Sequence, residues 1–400
     1  MSFIDIPNEL IYLVGKYLPQ KSISSLMQTN HMLCGLLQKT LYDKTPESKT
    51  YHILYKACEH GRVDLAREML KRLGAQQRPK DIPRFLAAAA AHGHVDVLQL
   101  ILEQENTDPN EDCIIHSTAL VSAAGGGHLE ALKTLLEHPR VQPDQLGRYG
   151  RTPFFAAAEN GNVSIMKELL KTGRVDLSHR NNEGRSAIHF AGEMGQEEAM
   201  RFLLSLHTDP GLRDGNGSTP LATAAAAGAS GVVKILLETG RVDANAKDHA
   251  SKTPLHRVFE FASLIDSHLV RDQEKKEKVH RMLSGEVLPP HSPASELRRK
   301  RTEEHTLTTD GYEVIRQLLA LEDIELEPCD SEGRTPLSHA AGVCSVEGTR
   351  LLIATGKVDL ESKDNDGWSP ATWLECQYKP KPTPDEIESD IETPGFMLFD

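Results

Sequence analysis

Residues whose types and spacing could do chemistry are few in this chain. Ser164-Ile-Met-Lys167 spells S-x-x-K, the pair with which some acyl-transfer enzymes activate a hydroxyl nucleophile. His92-Gly93-His94 and the pair Cys113/His116 have spacings at which imidazole and thiolate can share a metal ion. Gly125-Gly126-Gly127 offers the permissive backbone of a phosphate-cradling loop. Each lacks what its chemistry needs. The partner motifs of S-x-x-K are missing, Cys113/His116 has no second ligand pair, and the glycines are not followed by the lysine and Ser/Thr of a phosphate loop. Gly127-His128 repeats Gly93-His94 further along the chain, so these histidines read as hydrogen-bonding spacers in a recurring turn. No nucleophile, base and orienting group stand out together, and a non-enzymatic chain with no cofactor and no metal is expected.

The recurrence of Gly-His leads to the elements that carry these residues. TGRVD stands at Thr172–Asp176 and Thr239–Asp243, and TGKVD at Thr355–Asp359. The first two copies are 67 residues apart, one period of 33 and one of 34, each the length of one unit in a stacked-repeat protein. Leucine pairs keep that beat at Leu135-Leu136, Leu169-Leu170, Leu203-Leu204 and Leu236-Leu237, as do Thr152-Pro153, Ser186-Ala187, Thr219-Pro220, Thr253-Pro254, Thr335-Pro336 and Ser369-Pro370. The third TGKVD lies further on than two more periods allow, and the excess places one insertion at about 264–309, inside one repeat.

Residues 151–176 show what each period builds. Thr152 can cap a helix opened by Pro153, because its hydroxyl accepts a free first-turn N–H and proline has none to lose. Ala156, Ala157 and Ala158 let a neighbouring helix approach closely. After Gly161, Val163, Met166, Leu169 and Leu170 fall on one face of a second helix, which Gly173 ends, and the polar stretch around Gly184 reads as a projecting turn.

Asp214–Gly228 (DGNGSTPLATAAAAG), Asp330–Gly342 (DSEGRTPLSHAAG) and the intact TPLH at Thr253–His256 resemble the ankyrin repeat. The resemblance covers residues 49–375 and implies an all-α ankyrin-repeat solenoid of helix-turn-helix units with projecting β-turns. About eight repeats start near Lys49, Asp81, Asp112, Gly147, Asn181, Asp214, Asp248 and Asp330, with a fragment from Asp364. Ser186-Ala187 in place of Thr-Pro, Ser251 in place of the turn glycine and Cys344 in place of the inter-helix glycine depart from the pattern, so local irregularity is expected there. Trp368 and Trp373 are candidates to cover the last apolar face. The resemblance further implies a concave ligand face of turns and first-helix positions. Here these are Arg148, Tyr149, Arg151, Glu159, Asn160, Asn182, Glu183 and Arg185, extended by Glu193, Met194 and Asn216. Tyr149 between Arg148 and Arg151 is the most ligand-like cluster, because Tyr and Arg anchor interfaces.

Residues 1–42 follow a different grammar. Pro7 can open a helix with Leu10, Val14, Tyr17 and Leu18 on one face, and two shorter helices follow from Ile23 and Asn30. Ile6-Pro7-Asn8-Glu9-Leu10, Tyr17-Leu18 and Ile23…Leu26 resemble an F-box. That resemblance implies docking on the Skp-type adaptor of a cullin-RING ubiquitin ligase through Ile6, Pro7, Leu10, Val14, Leu18, Ile23 and Leu26, with the repeats holding an unknown protein target. A helical cap for the repeats is the alternative.

Composition narrows the partners. A net charge of −13 argues against nucleic acid. MSFIDIPNEL has no basic leader, so no secretory signal is expected, and no apolar run approaches a membrane span. Six cysteines without paired spacing fit a reducing compartment, and a cytoplasmic chain is expected. The charged insertion at 264–309 reads as an exposed loop, helical at 271–282, in which Arg298–Arg301 is a candidate nuclear address or an ordinary basic run. Residues 379–400 read as a disordered acidic tail.

Overall fold

A computed structural model describes residues 47–73, 82–104, 107–113, 117–265, 279–284 and 309–376. The F-box-like segment, the acidic tail and the insertion apart from residues 264–265, 279–284 and 309 lie outside them. The described residues contain helices and no strand. They form two compact units, one running to Ala156 with Lys167–Val175 and the other comprising Ala157–Met166 and the residues from Asp176 onward.

In the first unit, α1 (Glu47–Glu59), α3 (Ile82–Ala91) and α5 (Ala119–Gly126) pack in succession, with α2 (Val63–Leu73), α4 (Val95–Leu102) and α6 (Leu129–Glu137) behind them. Ala87, Ala88, Ala89 and Ala90 of α3 are fully buried, and their small side chains allow that close succession. Behind them Val97, Leu98 and Ile101 of α4 and Leu132 and Leu135 of α6 are buried at three- and four-residue steps, the spacing of one helical face. Thr118 caps α5 by accepting the Val121 N–H, and Thr152 accepts the Phe155 N–H at the head of α7 (Pro153–Glu159). α8 (Val163–Lys171) follows.

In the second unit the first helices are α9 (Ala187–Glu193), α11 (Pro220–Ala226), α13 (Pro254–Ile265), α15 (Pro336–Gly342) and α17 (Pro370–Cys376). The second layer is α10 (Glu197–Ser205), α12 (Ser230–Glu238), α14 (Thr309–Leu319) and α16 (Val346–Ala354). A turn projects before each first helix. Its side-chain oxygen, from Asn181, Asp214, Asp248, Asp330 or Asp364, accepts the N–H groups two and four residues on. Successive turns are joined by backbone bonds: Gly215 N–H to Glu183 O, His249 to Asn216, Ser331 to Ala250 and Asn365 to Glu332, at 2.8–3.0 Å. At Gly184 this approach leaves no space for a side chain, since a Cβ would stand 2.6 Å from the Gly215 nitrogen.

Helix α13 has 12 residues where α9, α11 and α15 have 7. Ala262 occupies the register at which Gly195 and Gly228 stop α9 and α11, so the helix runs on to Ile265. The insertion begins at the end of α13. The Ser331–Ala250 bond and a 3.1 Å bond from the His256 ring to Arg334 O hold the repeats on either side in register. Residues 279–283 of the insertion are helical, and Val279, Met282 and Leu283 are buried, which corrects the exposed-loop expectation at that point. Their three- and four-residue spacing forms a single apolar face.

The three departures from the repeat pattern keep its geometry. Ser186 forms a capping box with His189, while Ser251 and Cys344 adopt the left-handed backbone of the glycines they replace, at φ 58° and 51°. A side chain in that region is disfavoured by about 1–2 kcal/mol, whereas glycine pays about 0.5–1 kcal/mol in chain entropy. Ser251→Gly is therefore expected to stabilise the second unit by about 0.5 kcal/mol, seen as a small rise in the urea midpoint by circular dichroism. An unchanged or lower midpoint would mean that the serine side chain offsets its own backbone cost.

Candidate protein-interaction surface

The first unit carries the cluster centred on Tyr149. Residues Arg148–Gly150 make one 3-10 turn in which Tyr149 has φ 61°, an uncommon conformation for a bulky residue. The turn presents Tyr149 at 60 % exposure beside Leu146 at 45 %. The Arg148 guanidinium lies 5.1 Å from the Tyr149 ring centre, and the Arg148 N–H donates to Ser117 Oγ at 3.0 Å. Arg151 is half-buried. An exposed aromatic ring with a stacked cation has the chemistry of an interface anchor.

In the second unit Asn160, Asn182, Glu183 and Asn216 are exposed, Met194 is 48 % exposed and Glu159 is half-buried. Arg185 does not join them. Its guanidinium sits 4.8 Å from the Phe190 ring centre and Nη2 pairs with Glu193 at 2.7 Å, leaving its side chain 15 % exposed. The repeat pattern assigns Arg185 to the ligand face. The structure turns it inward, because a guanidinium can cover an aromatic ring and hold a carboxylate at once.

The same inward use recurs nine residues after each of the last three turn aspartates. Arg257 Nε donates to Asp248 at 2.9 Å and its Nη1 to Glu260 at 2.7 Å. His339 Nε2 lies 3.0 Å from Asp330, and Trp373 Nε1 donates to Asp364 at 2.7 Å. Burial alone would raise the Asp330 pKa, but the bonds from His339 and Arg334 outweigh it and hold the carboxyl well below the usual range. Sequence reasoning missed these contacts, although the spacing from Asp to Arg, His or Trp is visible in the chain. Trp368 and Trp373 meet edge to face at 5.1 Å, and Arg334 lies over Trp373 at 5.4 Å, in the repeat where the sequence asked for cover.

The chemistry-bearing residues have structural surroundings. His94 Nε2 lies 3.0 Å from Glu59 O and His128 Nε2 2.9 Å from Ala91 O, so each ring ties its turn to the repeat before it. Gly127 ends α5 in a left-handed cap, and Ser164 and Lys167 are exposed on α8. Cys113 Sγ donates to Ser117 O at 3.4 Å, while His116 lies outside the described residues. Burial pushes the Cys58 thiol up to about 12, which removes the thiolate needed for reactivity. Among the described residues no group of three or more His, Cys, Asp or Glu is placed to hold a metal, and no helix is long and apolar enough to cross a membrane.

Comparison with protein families agrees with this repeat geometry. A model described as ankyrin repeats (3 copies) matches residues 54–146, 85–171 and 120–214, and one described as ankyrin repeats (many copies) matches 203–258. Together they span just over half of the chain. The chain belongs to the ankyrin-repeat family. Among curated proteins no match was found. Its ankyrin repeats make the chain a protein–protein interaction module, and no catalytic family is detected. In this ankyrin-repeat protein Arg148 and Tyr149 share one turn of the first unit, whereas Asn182 and Glu183 share one turn of the second, with Arg185 withdrawn behind them.

Proposed function

We propose that the protein is a non-enzymatic substrate receptor of a Skp/cullin/F-box ubiquitin ligase, working in the cytoplasm. Residues 1–42 would engage the Skp-type adaptor through Ile6, Pro7, Leu10, Val14, Leu18, Ile23 and Leu26, and the ankyrin repeats would hold a protein target. The observation that carries this reading is the F-box-like pattern that begins at Ile6-Pro7-Asn8-Glu9-Leu10, in a segment joined to α1 with almost no linker. Exposed Tyr149 with its stacked Arg148 supports target binding, with Arg151, Glu159, Asn160, Asn182 and Glu183 as further contacts. Neither a nucleic acid nor a membrane belongs to this mechanism, and no cofactor is needed to hold a protein.

Co-purification with the Skp-type adaptor tests the reading. The full chain is expected to form a complex that Pro7→Ala/Leu10→Asp abolishes, because an aspartate at an apolar docking position must be desolvated without a partner. A folded chain that ignores the adaptor would overturn it. That result would favour a second reading, a scaffold or inhibitor whose first helices cap the stack, which is supported by family matches confined to ankyrin repeats.

A further inference from the structure

In the first unit, the loops after α4 and α6 and the end of α8 enclose an open polar groove of about 650 Å³. Thr107, Asp108, Asn110, Arg140, Gln142 and Arg174 supply its polar lining. The floor is fixed by hydrogen bonds. Thr107 Oγ1 donates to Ile101 O at 2.8 Å, and Asp108 Oδ1 accepts the Asn110 N–H at 3.0 Å. The Asn110 amide spans to the next repeat, donating to Arg140 O at 2.6 Å and accepting the Gln142 N–H at 2.8 Å.

The two arginines differ from their counterpart in the other unit. Arg241 stands at the same register of its repeat, and its Nη2 donates to Thr208 O, one repeat earlier, at 3.4 Å. One repeat before Arg174 stands Arg140, whose carbonyl already accepts Asn110 Nδ2. Among the described residues Arg174 makes no bond of the kind that Arg241 makes to Thr208 O. Both Arg174 and Arg140 are exposed, and neither guanidinium has a hydrogen-bond or ion-pair partner among the described residues. Asp108, the one carboxylate in the lining, forms no ion pair with either of them and bonds the Asn110 N–H instead.

We propose that this groove binds a phosphate monoester, carried by a phosphorylated serine or threonine of a partner protein, between Arg140 and Arg174. Guanidinium matches the oxygens of a phosphate in paired, charge-assisted hydrogen bonds. A phosphomonoester brings about −1.5 to −2 charges and three acceptor oxygens, which suits two cations better than one carboxylate does. The site is distinct from the Tyr149 cluster and independent of the adaptor reading.

The test follows arginine side-chain Nε–Hε signals by NMR in the full chain, titrated with an acetylated Gly-Gly-phosphoserine-Gly-Gly peptide. The signals of Arg140 and Arg174 are expected to shift to saturation. Arg140→Gln or Arg174→Gln should each weaken binding at least about fivefold, and Arg241→Gln should leave it unchanged. Shifts that never saturate, or an equal loss in Arg241→Gln, would overturn the site. Equal binding of the same peptide with glutamate in place of phosphoserine would overturn the phosphate assignment in favour of a carboxylate. Inorganic phosphate binding as tightly as the peptide would overturn the assignment to a partner protein.

Discussion

Acidification from pH 7 to pH 4.5 is expected to remove about 5 kcal/mol of stability from the second unit, before most carboxylates titrate. His189 and His256 produce this loss. Both rings are fully buried in the neutral form, with Nδ1 accepting the N–H of Ser186 or Thr253 and Nε2 donating to Ser218 O or Arg334 O. Burial lowers each pKa from 6.5 to about 4. Asp214 opposes the shift at His189 while Arg185 adds to it, and at His256 Asp330 opposes it while His339 and Lys252 add to it. Between pH 6.5 and 4 the unfolded chain binds more protons than the folded one, so stability is complete above 6.5, falls through that window and levels below about 4. Each histidine contributes about 2.5 kcal/mol of the loss by pH 4.5, and the two lie in different repeats, so their effects add. Urea midpoints by circular dichroism at pH 7, 5.5 and 4.5 measure the slope. The double variant His189→Gln/His256→Gln should begin less stable at pH 7 and show a flatter slope. A wild-type midpoint that stays constant over this range would refute the account.

Histidine 256 also shows how much of the molecule was legible in advance. Its TPLH setting, the Thr-Pro helix starts and the leucine pairs recur on one shared period, and the helices form where that beat puts them. Periodic burial makes this possible, since every repeat must present the same apolar face to similar neighbours. The length of α13 was not anticipated, although Ala262 breaks the glycine register and the helix runs on to Ile265. Candidate ligand residues were less legible. A sequence places Arg185 on the outward register of its repeat and cannot show that Phe190 and Glu193 draw the guanidinium inward. Arg174 and Arg241 sit in identical TGRVD segments, but one repeat earlier the same register holds Arg140, whose carbonyl accepts the Asn110 amide, in the first case and Thr208, whose carbonyl accepts Arg241, in the second. Short-range grammar sets the backbone, while long side chains are decided by competition for acceptors across repeats.

That competition reaches its densest point at Asp330, and Asp330→Ala is expected to cost about 3–5 kcal/mol. The side chain is fully buried. Oδ1 accepts the Glu332 and Arg334 N–H groups, each at 2.9 Å. Oδ2 accepts Arg334 Nε at 2.9 Å and Nη2 at 2.8 Å, and lies 3.0 Å from His339 Nε2. Alanine would orphan both turn N–H groups and leave the Arg334 guanidinium, 5.4 Å over the Trp373 ring, without its main carboxylate. Asp330→Asn keeps an oxygen for the turn and should cost about half as much. The chain's two tryptophans, Trp368 and Trp373, both lie in the adjoining last repeat, so intrinsic fluorescence reports local unfolding there. Repeat stability is a sum of local and nearest-neighbour contributions. The fluorescence midpoint in urea should therefore fall further in Asp330→Ala than the circular dichroism midpoint of the whole stack. Coincident shifts would mean that the stack unfolds as a single cooperative body. Equal losses in the alanine and asparagine variants would place the effect in the charge pairing of Arg334, with no contribution from the turn.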